Sequence, residues 1–281
     1  MRIARCTDGG APFWAVVDRT GDTVRPFLGA FAEWAPAVTR GEGEATLRFT
    51  GEVRKLSDVR LLPPIEKTNK VVVAGANYRK HLVEFGVAPP ARPVAFLKAY
   101  GALIGAADPI RYPPVTRELD YEVELVAVVG AERIDPADPF AGLLGYTVGN
   151  DVSARDEQRA GPPGIGMDLF SAKSQDQTTG LGPWIVTRDE FPAGQPGLRL
   201  GLTVNGAVRQ DGTTADMTWT VGELLAFIDA RVGFDCGDVL FTGTPEGVAQ
   251  GTGNYLQPGD VVEATVEGIG TLRNVVGDRP V

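Results

Sequence analysis

The sequence predicts a β-rich α+β protein in which a small N-terminal unit leads a larger domain. Three observations predict it. Short β-branched runs separated by Gly and Pro dominate from Lys70 onward, at Val71–Ala74, Tyr121–Val129, Leu198–Val204, Val239–Thr242 and Val261–Val266. Helical periodicity is confined to a few stretches, clearest at Tyr78–Phe85 and at Thr220–Ile228, where Leu224, Leu225 and Ile228 share one stripe. The segment Leu61–Leu62–Pro63–Pro64–Ile65 reads as a stiff extended connector, because proline restricts its own φ and the residue before it. That connector sets a boundary between residues 1–65 and residues 66–281.

The N-terminal unit offers strands at Met1–Ala4 and Phe13–Val17, turns at Asp8–Gly10 and Thr20–Asp22, and a short helix at Phe31–Val38. With 281 residues and 43% hydrophobic composition the chain can bury a substantial core. The start MRIARCTDGG carries charges where a signal peptide needs an apolar stretch, and no run approaches the roughly 20 apolar residues that span a bilayer. The expectation is a cytoplasmic protein. Lys and Arg number 27 against 36 Asp and Glu, a net charge of −9 with no basic block, which argues against a nucleic-acid partner. Cys6 and Cys236 are the two cysteines, too few for a disulfide framework or a thiolate metal cage, and both read as small core residues. An acidic protein can still bind an acidic small molecule where a metal ion and a few cations reverse the local field.

Five segments carry candidate chemistry. In Asn77-Tyr78-Arg79-Lys80-His81-Leu82-Val83-Glu84 the single histidine, His81, is an i, i+3 neighbour of Glu84 if the segment is helical. A carboxylate beside an imidazole orients it as a general base, although an exposed helical pair fits as well. Leu119–Leu125 alternates acidic and apolar residues, so as one strand it aims Asp120, Glu122 and Glu124 at a single face. A solvated strand face and a cation site both fit, but like charges brought close disfavour joint ionisation unless a cation intervenes. Asp151 follows the apolar run Leu143–Val148, where a carboxylate can be a further metal ligand or a turn stabiliser, while Ser153 and Asp156 match a helix-capping pattern. An all-oxygen set suits a hard ion, Mg²⁺ first, then Mn²⁺ or Ca²⁺. Lys173 sits between apolar flanks, either as an oxyanion binder or as a surface lysine. Thr242–Val248 is a Gly-rich turn whose N–H groups can hold an anion, without the Gly-Lys-Ser/Thr ending of a phosphate loop.

The order and spacing of these segments resemble the fumarylacetoacetate hydrolase family over nearly the whole chain. The matching stretches are Asn77 to Glu84, Asp120-Tyr121-Glu122-Val123-Glu124-Leu125, Asn150 to Gln158, Lys173 to Trp184, and Thr242 to Val248. The resemblance implies a mixed β-sandwich roll behind a small leading domain, as a homodimer. It implies that Glu122, Glu124 and Asp151 bind Mg²⁺ or a similar ion and that His81 and Glu84 activate water. Lys173 and Gln158 match groups that contact substrate oxygens, Thr244 matches a hydroxyl that holds the substrate carboxylate, and Tyr78 and Arg155 match pocket residues. Between Gln158 and Lys173 the chain departs from the common pattern, with Gly161-Pro162-Pro163-Gly164 and Met167-Asp168-Leu169-Phe170, and Gln175 stands where Phe is usual. Arg159–Ala172 is therefore expected to be a lid that shapes substrate choice.

The activity implied is metal-dependent hydrolysis of a C–C bond in a small 2,4-dioxo acid such as an acylpyruvate, with water deprotonated by His81 and oxyanion charge held by Lys173 and Gln158. The same ion without attacking water would decarboxylate an oxaloacetate-like acid or convert keto and enol forms of a 2-oxo acid or hydroxydienoate. A non-catalytic metal-binding protein is the reading from another class.

Overall fold

The structure is a computed structural model that describes residues 1–164 and 166–280. The chain opens with a meander of β1 (Arg2–Thr7), β2 (Phe13–Val17) and β3 (Thr23–Leu28). Helix α1 (Phe31–Thr39) and short strands β4 (Arg48–Phe49), β5 (Arg54–Lys55) and β6 (Arg60–Leu62) complete this part. Trp14, Phe27, Phe31 and Trp34 pack edge-to-face or tilted at centroid distances of 4.7–5.3 Å, which seats α1 on the meander. Cys6 is buried and Cys236 half-buried, both as free thiols.

The larger part begins with β7 (Val71–Gly75), α2 (Arg79–Glu84), β8 (Val94–Lys98), β9 (Leu103–Ile104) and β10 (Leu119–Asp120). Next come β11 (Val123–Val129), β12 (Leu143–Asn150), β13 (Ser153–Ala154), α3 (Arg155–Arg159) and α4 (Leu169–Lys173). It ends with β14 (Thr179–Thr187), β15 (Arg199–Val204), β16 (Ala207–Thr213), α5 (Val221–Val232), β17 (Val239–Phe241), α6 (Ala249–Thr252), β18 (Val261–Val266) and β19 (Gly270–Val275). Helix α5 carries the apolar stripe expected of it and starts in a capping box of Thr220 with Glu223.

Among the described residues, the main sheet runs β4-β3-β2-β1-β14-β12-β11-β17-β7-β8, with β17–β7 and β14–β9 parallel. The N-terminal meander joins it where Arg2 and Ile3 of β1 pair with Val186 and Ile185 of β14. An antiparallel sheet, β16-β15-β18-β19, covers one face. Strand β11 is buried on both sides, so its residues divide by period two. Val123, Leu125, Ala127 and Val129 enter the core shared with the second sheet, while Val126 and Val128 join the aromatic core under α1. The main sheet also curls, because Lys98 on edge strand β8 reaches Thr179 at the start of β14. The result is the mixed, strand-rich roll expected, and no helix among the described residues is long and apolar enough to cross a membrane.

Two local expectations are corrected. Leu119–Leu125 is not one strand, because the chain leaves β10 at Asp120 and re-enters a strand only at Val123. Ser153 and Asp156 do not cap α3. Ala154 occupies the N-cap position, Ser153 donates its hydroxyl to the Asp151 carbonyl, and Asp156 accepts from the Thr116 hydroxyl and the Arg117 N–H, binding a distant segment instead.

Candidate active site

Antiparallel pairing of β11 with β12 puts Val123 opposite Asn150, so the start of one strand lies against the end of the other. Glu122, Glu124 and Asp151 meet there, and the Asp151 N–H donates to the Glu122 carbonyl at 2.8 Å. All three side chains are buried, and each offers an oxygen within 4.8 Å of the others. Asp120 leaves this group because of the break in the strand. Its Oδ2 accepts from Arg155 Nε at 2.8 Å and its Oδ1 from the Ala249 N–H at 2.7 Å, so it ties Arg155 to the start of α6.

Three buried cations surround the cluster. Lys173, the last residue of α4, donates to Glu122 Oε2 at 2.6 Å and Asp151 Oδ2 at 2.7 Å. Lys98 Nζ lies 2.7 Å from Asp151 Oδ1 as an ion pair and donates to Thr179 Oγ1 at 2.8 Å and to the Lys173 carbonyl. Arg155 pairs with Glu122 as well as Asp120 and donates to Gln158 Oε1 at 2.9 Å. Burial pushes the Glu122 carboxyl up, but Lys173 and Arg155 outweigh it and hold the group at about 2. For Lys173, burial works against the charge, and Asp151 and Glu122 overcome it to raise the ammonium above its ordinary value.

Glu124 is the exception. Its carboxylate accepts the Gly243 N–H at 2.6 Å, yet no Lys or Arg among the described residues pairs with it. Burial and the charges of Asp151 and Glu122 push it well above the usual carboxylate range. A buried, all-oxygen cluster with one carboxylate lacking a cation fits a hard divalent ion. Ion binding is therefore expected to displace a proton from Glu124 wherever its raised carboxyl is still protonated. Calorimetric titration of Mg²⁺ in buffers of different ionisation enthalpy would show this as buffer-dependent heat; buffer-independent heat would contradict it.

Opposite the cluster, Asn77 fixes the start of α2. Its Nδ2 donates to the Thr242 carbonyl at 2.8 Å and its Oδ1 accepts the Trp219 N–H at 2.9 Å. His81 Nδ1 then stands 3.4 Å from Glu84 Oε2, which also faces the Gly247 N–H at 3.3 Å. Gly247 has φ +96°, and a Cβ there would lie 2.2 Å from the Arg209 carbonyl, so the turn requires glycine. The groups held by the Gly-rich turn are thus the protein's own Glu124 and Glu84 carboxyls. Burial lowers the His81 imidazole below its ordinary 6.5, against the opposing pull of Glu122 and Glu84. That lowering favours the neutral imidazole, and with Nδ1 turned toward Glu84 the other ring nitrogen, Nε2, is the candidate base.

Asn77, His81, Glu122, Glu124 and Asp151 line a cavity of about 310 Å³ together with Arg155, Gln158, Lys173 and Thr244, whereas Glu84 stands behind His81, off the wall. Gln158 Nε2 contacts the Met167 sulfur at 3.3 Å, linking the wall to the segment before α4. The Thr244 hydroxyl is already engaged, donating to the Val123 carbonyl at 2.9 Å and accepting from Gln210 Nε2 at 2.9 Å. Tyr78 is not on the wall: it is fully buried in the core, and as the N-cap of α2 its backbone, rather than its hydroxyl, serves the site. Sequence reasoning missed Lys98. That lysine closes the apolar strand Val94-Ala95-Phe96-Leu97, where nothing local distinguishes it from an ordinary strand-end lysine, although Lys98 itself is buried.

A family model described as Fumarylacetoacetate (FAA) hydrolase C-terminal matches residues 70–277. The chain belongs to the fumarylacetoacetate hydrolase family. A second model, Rv2993c-like, N-terminal, matches residues 1–64 of this family member. Protein Rv2993c of Mycobacterium tuberculosis is 42% identical over 278 residues, covering 98% of each chain. Oxaloacetate tautomerase YisK of Bacillus subtilis is 35% identical over 79% of this chain and 74% of its own. Among solved structures, 5-carboxymethyl-2-hydroxymuconate delta-isomerase of Mycobacterium smegmatis superposes with a TM-score of 0.81 at 36% identity, covering 99% of this chain and 100% of that one. Fumarylacetoacetate hydrolase family members named as tautomerase and isomerase thus share both the sequence and the fold.

Proposed function

We propose that this family member is a divalent-metal-dependent enzyme that interconverts the keto and enol forms of a small 2-oxo acid. The observation that carries the reading is the cavity's chemistry. It pairs one neutral base, His81, with a buried carboxylate triad and a raised lysine. Its lining among the described residues contains no Ser or Cys nucleophile, and the Thr244 hydroxyl is occupied. Proton transfer beside a polarised carbonyl is what such a set can perform. The tautomerase and isomerase relatives support this choice over C–C hydrolysis, which would use the same His81 on a water.

Glu122, Glu124 and Asp151 would hold the ion, Mg²⁺ or a similar hard cation. The chemistry it supplies when bound is Lewis-acid polarisation of the 2-oxo group. His81 Nε2 accepts a proton from substrate C3, the C–H pair becomes the C2–C3 double bond, and the carbonyl pair moves onto O2. Lys173 Nζ offers charge to that oxygen. His81 then passes that same proton to O2, which completes the enol and restores the neutral ring, and the reverse direction takes the proton from O2 and returns it to C3. Glu84 keeps the ring oriented throughout. Lys98 holds Asp151, and Asp120 holds Arg155, so neither cation drifts from the cluster. The proposal includes a homodimer, which sedimentation equilibrium tests.

The decisive experiment is a turnover screen with 2-oxo acids, acylpyruvates and hydroxydienoates under Mg²⁺ and Mn²⁺. Enol–keto conversion without C–C cleavage or CO₂ release is expected. Cleavage products would return the hydrolase reading, CO₂ release would indicate a decarboxylase, and turnover surviving exhaustive chelation would remove the metal.

The segment between α3 and α4 adds a smaller prediction. Gly161 packs so closely on the Gly166 carbonyl that a Cβ would sit 1.9 Å away, and Asp168 caps α4 through the Ser171 N–H at 2.9 Å. The expected lid, Arg159–Ala172, therefore includes the start of a helix, with Ile165 outside the described residues. Hydrogen exchange across 159–172 should slow when a substrate analogue is added to metal-loaded protein. Equal exchange with and without it would argue against a lid.

A further inference from the structure

The cavity has two chemically different ends. Its inner end holds the buried triad and the cations, whereas its mouth is lined by Phe85, Val87, Val94, Phe96, Met167 and Leu169. These apolar groups converge from three places: the residues that follow α2, edge strand β8, and the segment that leads into the first residue of α4. Val87, Val94 and Met167 are 53%, 44% and 63% exposed, so they present apolar surface to solvent until something covers it. The cationic groups on the lining among the described residues, Arg155 and Lys173, both lie at the inner end and are paired with Asp120, Glu122 and Asp151. Arg92, in the turn ahead of β8, is exposed and is not part of the wall.

We propose that the substrate's C3 substituent is uncharged and apolar, a branched aliphatic or aryl group rather than a second carboxylate. The inference rests on the 2-oxo acid reading above. The triad with its ion and Lys173 fix the 2-oxo acid head at the inner end, which leaves the tail at the mouth. A tail carboxylate would meet no cation there and would remain unpaired against apolar walls, beside a cluster already rich in negative charge. An alkyl or aryl tail instead covers Val87, Val94 and Met167, and each methylene so buried improves binding about fourfold. This preference separates the chain from relatives named for oxaloacetate and for 5-carboxymethyl-2-hydroxymuconate, which carry further carboxylates.

The test compares oxaloacetate with 4-methyl-2-oxopentanoate, in which an isopropyl group of similar shape replaces the distal carboxylate. C3 hydrogen–deuterium exchange, corrected for the uncatalysed rate, and calorimetric affinity are both measured on the Mg²⁺-loaded protein. The branched acid is expected to exceed oxaloacetate by about 30-fold in catalysed exchange and in affinity. The exposed Val87→Arg variant, which places a cation at the mouth, should shift the ratio about tenfold toward oxaloacetate. Equal or better use of oxaloacetate by the unmodified protein, or an unchanged ratio in V87R, overturns the apolar-tail proposal while leaving the tautomerase reading intact. No exchange with either acid, together with tighter binding of the branched one, overturns the tautomerase reading and supports the tail. Equal affinities without exchange overturn both.

Discussion

Replacing Asp151 with asparagine is expected to lower turnover by at least about a thousandfold and to destabilise the metal-free fold by roughly 3–5 kcal/mol. Both effects come from one carboxylate. Asp151 is fully buried and answers two lysines, Lys98 at 2.7 Å on Oδ1 and Lys173 at 2.7 Å on Oδ2. A neutral amide of the same shape leaves Lys98 without its carboxylate partner, and burial has already pushed that ammonium below its ordinary value despite Asp151. Lys173 keeps Glu122, so the loss falls unevenly on the two cations. The same change would remove a candidate ligand oxygen from the triad. Denaturant unfolding of metal-free protein measures the first effect, and Mg²⁺ titration with turnover measures the second. Wild-type stability together with wild-type metal affinity in D151N would show that neither role is real.

His81→Asn is expected to cost a factor of about 10²–10⁴ in turnover while leaving Mg²⁺ affinity nearly unchanged, since the role proposed for the imidazole is that of a base rather than a ligand. Glu84→Gln should cost less, because it removes orientation but leaves the base. The pH dependence follows in sign from burial, which lowers the His81 value below 6.5. The base is active when neutral, so the rising limb of kcat/KM should lie below 6.5 and vanish in H81N. Stability follows the same group. The unfolded chain protonates His81 more readily than the folded one, so stability falls as pH drops through 6.5 toward the lowered value. A rate profile unchanged by H81N would eliminate the residue as base.

The site was legible in sequence wherever it depends on local alternation or adjacency. Glu122 and Glu124 are two apart on an extended segment, Asp151 closes an apolar run, and His81 and Glu84 are one helical turn apart. What stayed hidden depends on partners distant in the chain. Asp120 shares the alternation of Glu122 and Glu124, but Arg155 and the start of α6 claim its carboxylate, and no pattern within Leu119–Leu125 reveals that. Asp156 fits a capping motif, yet Thr116 and Arg117 compete for it and win. Lys98 reads as any strand-end lysine until the sheet curls to bring it against Asp151. The strand-rich fold was readable from β-branched runs, whereas pairing of the first strand with β14 was not, since register between remote strands leaves no local trace.

That pairing of β1 with β14 bears on how the protein is made. At roughly 5–20 residues per second, between about 10 and 40 seconds separate the emergence of Arg2 from that of Ile185 on the ribosome. Through that interval β6 covers Arg5–Thr7 but the Arg2–Ile3 end of the β1 edge lacks its native neighbour, and an open edge is a template for pairing with another chain. The catalytic cluster waits longer still, because the glycine N–H groups that receive Glu124 and Glu84 belong to residues 243 and 247. A nascent chain released early would carry all three candidate ion-binding carboxylates but not the turn that seats Glu124, so the cluster is complete only near the end of synthesis.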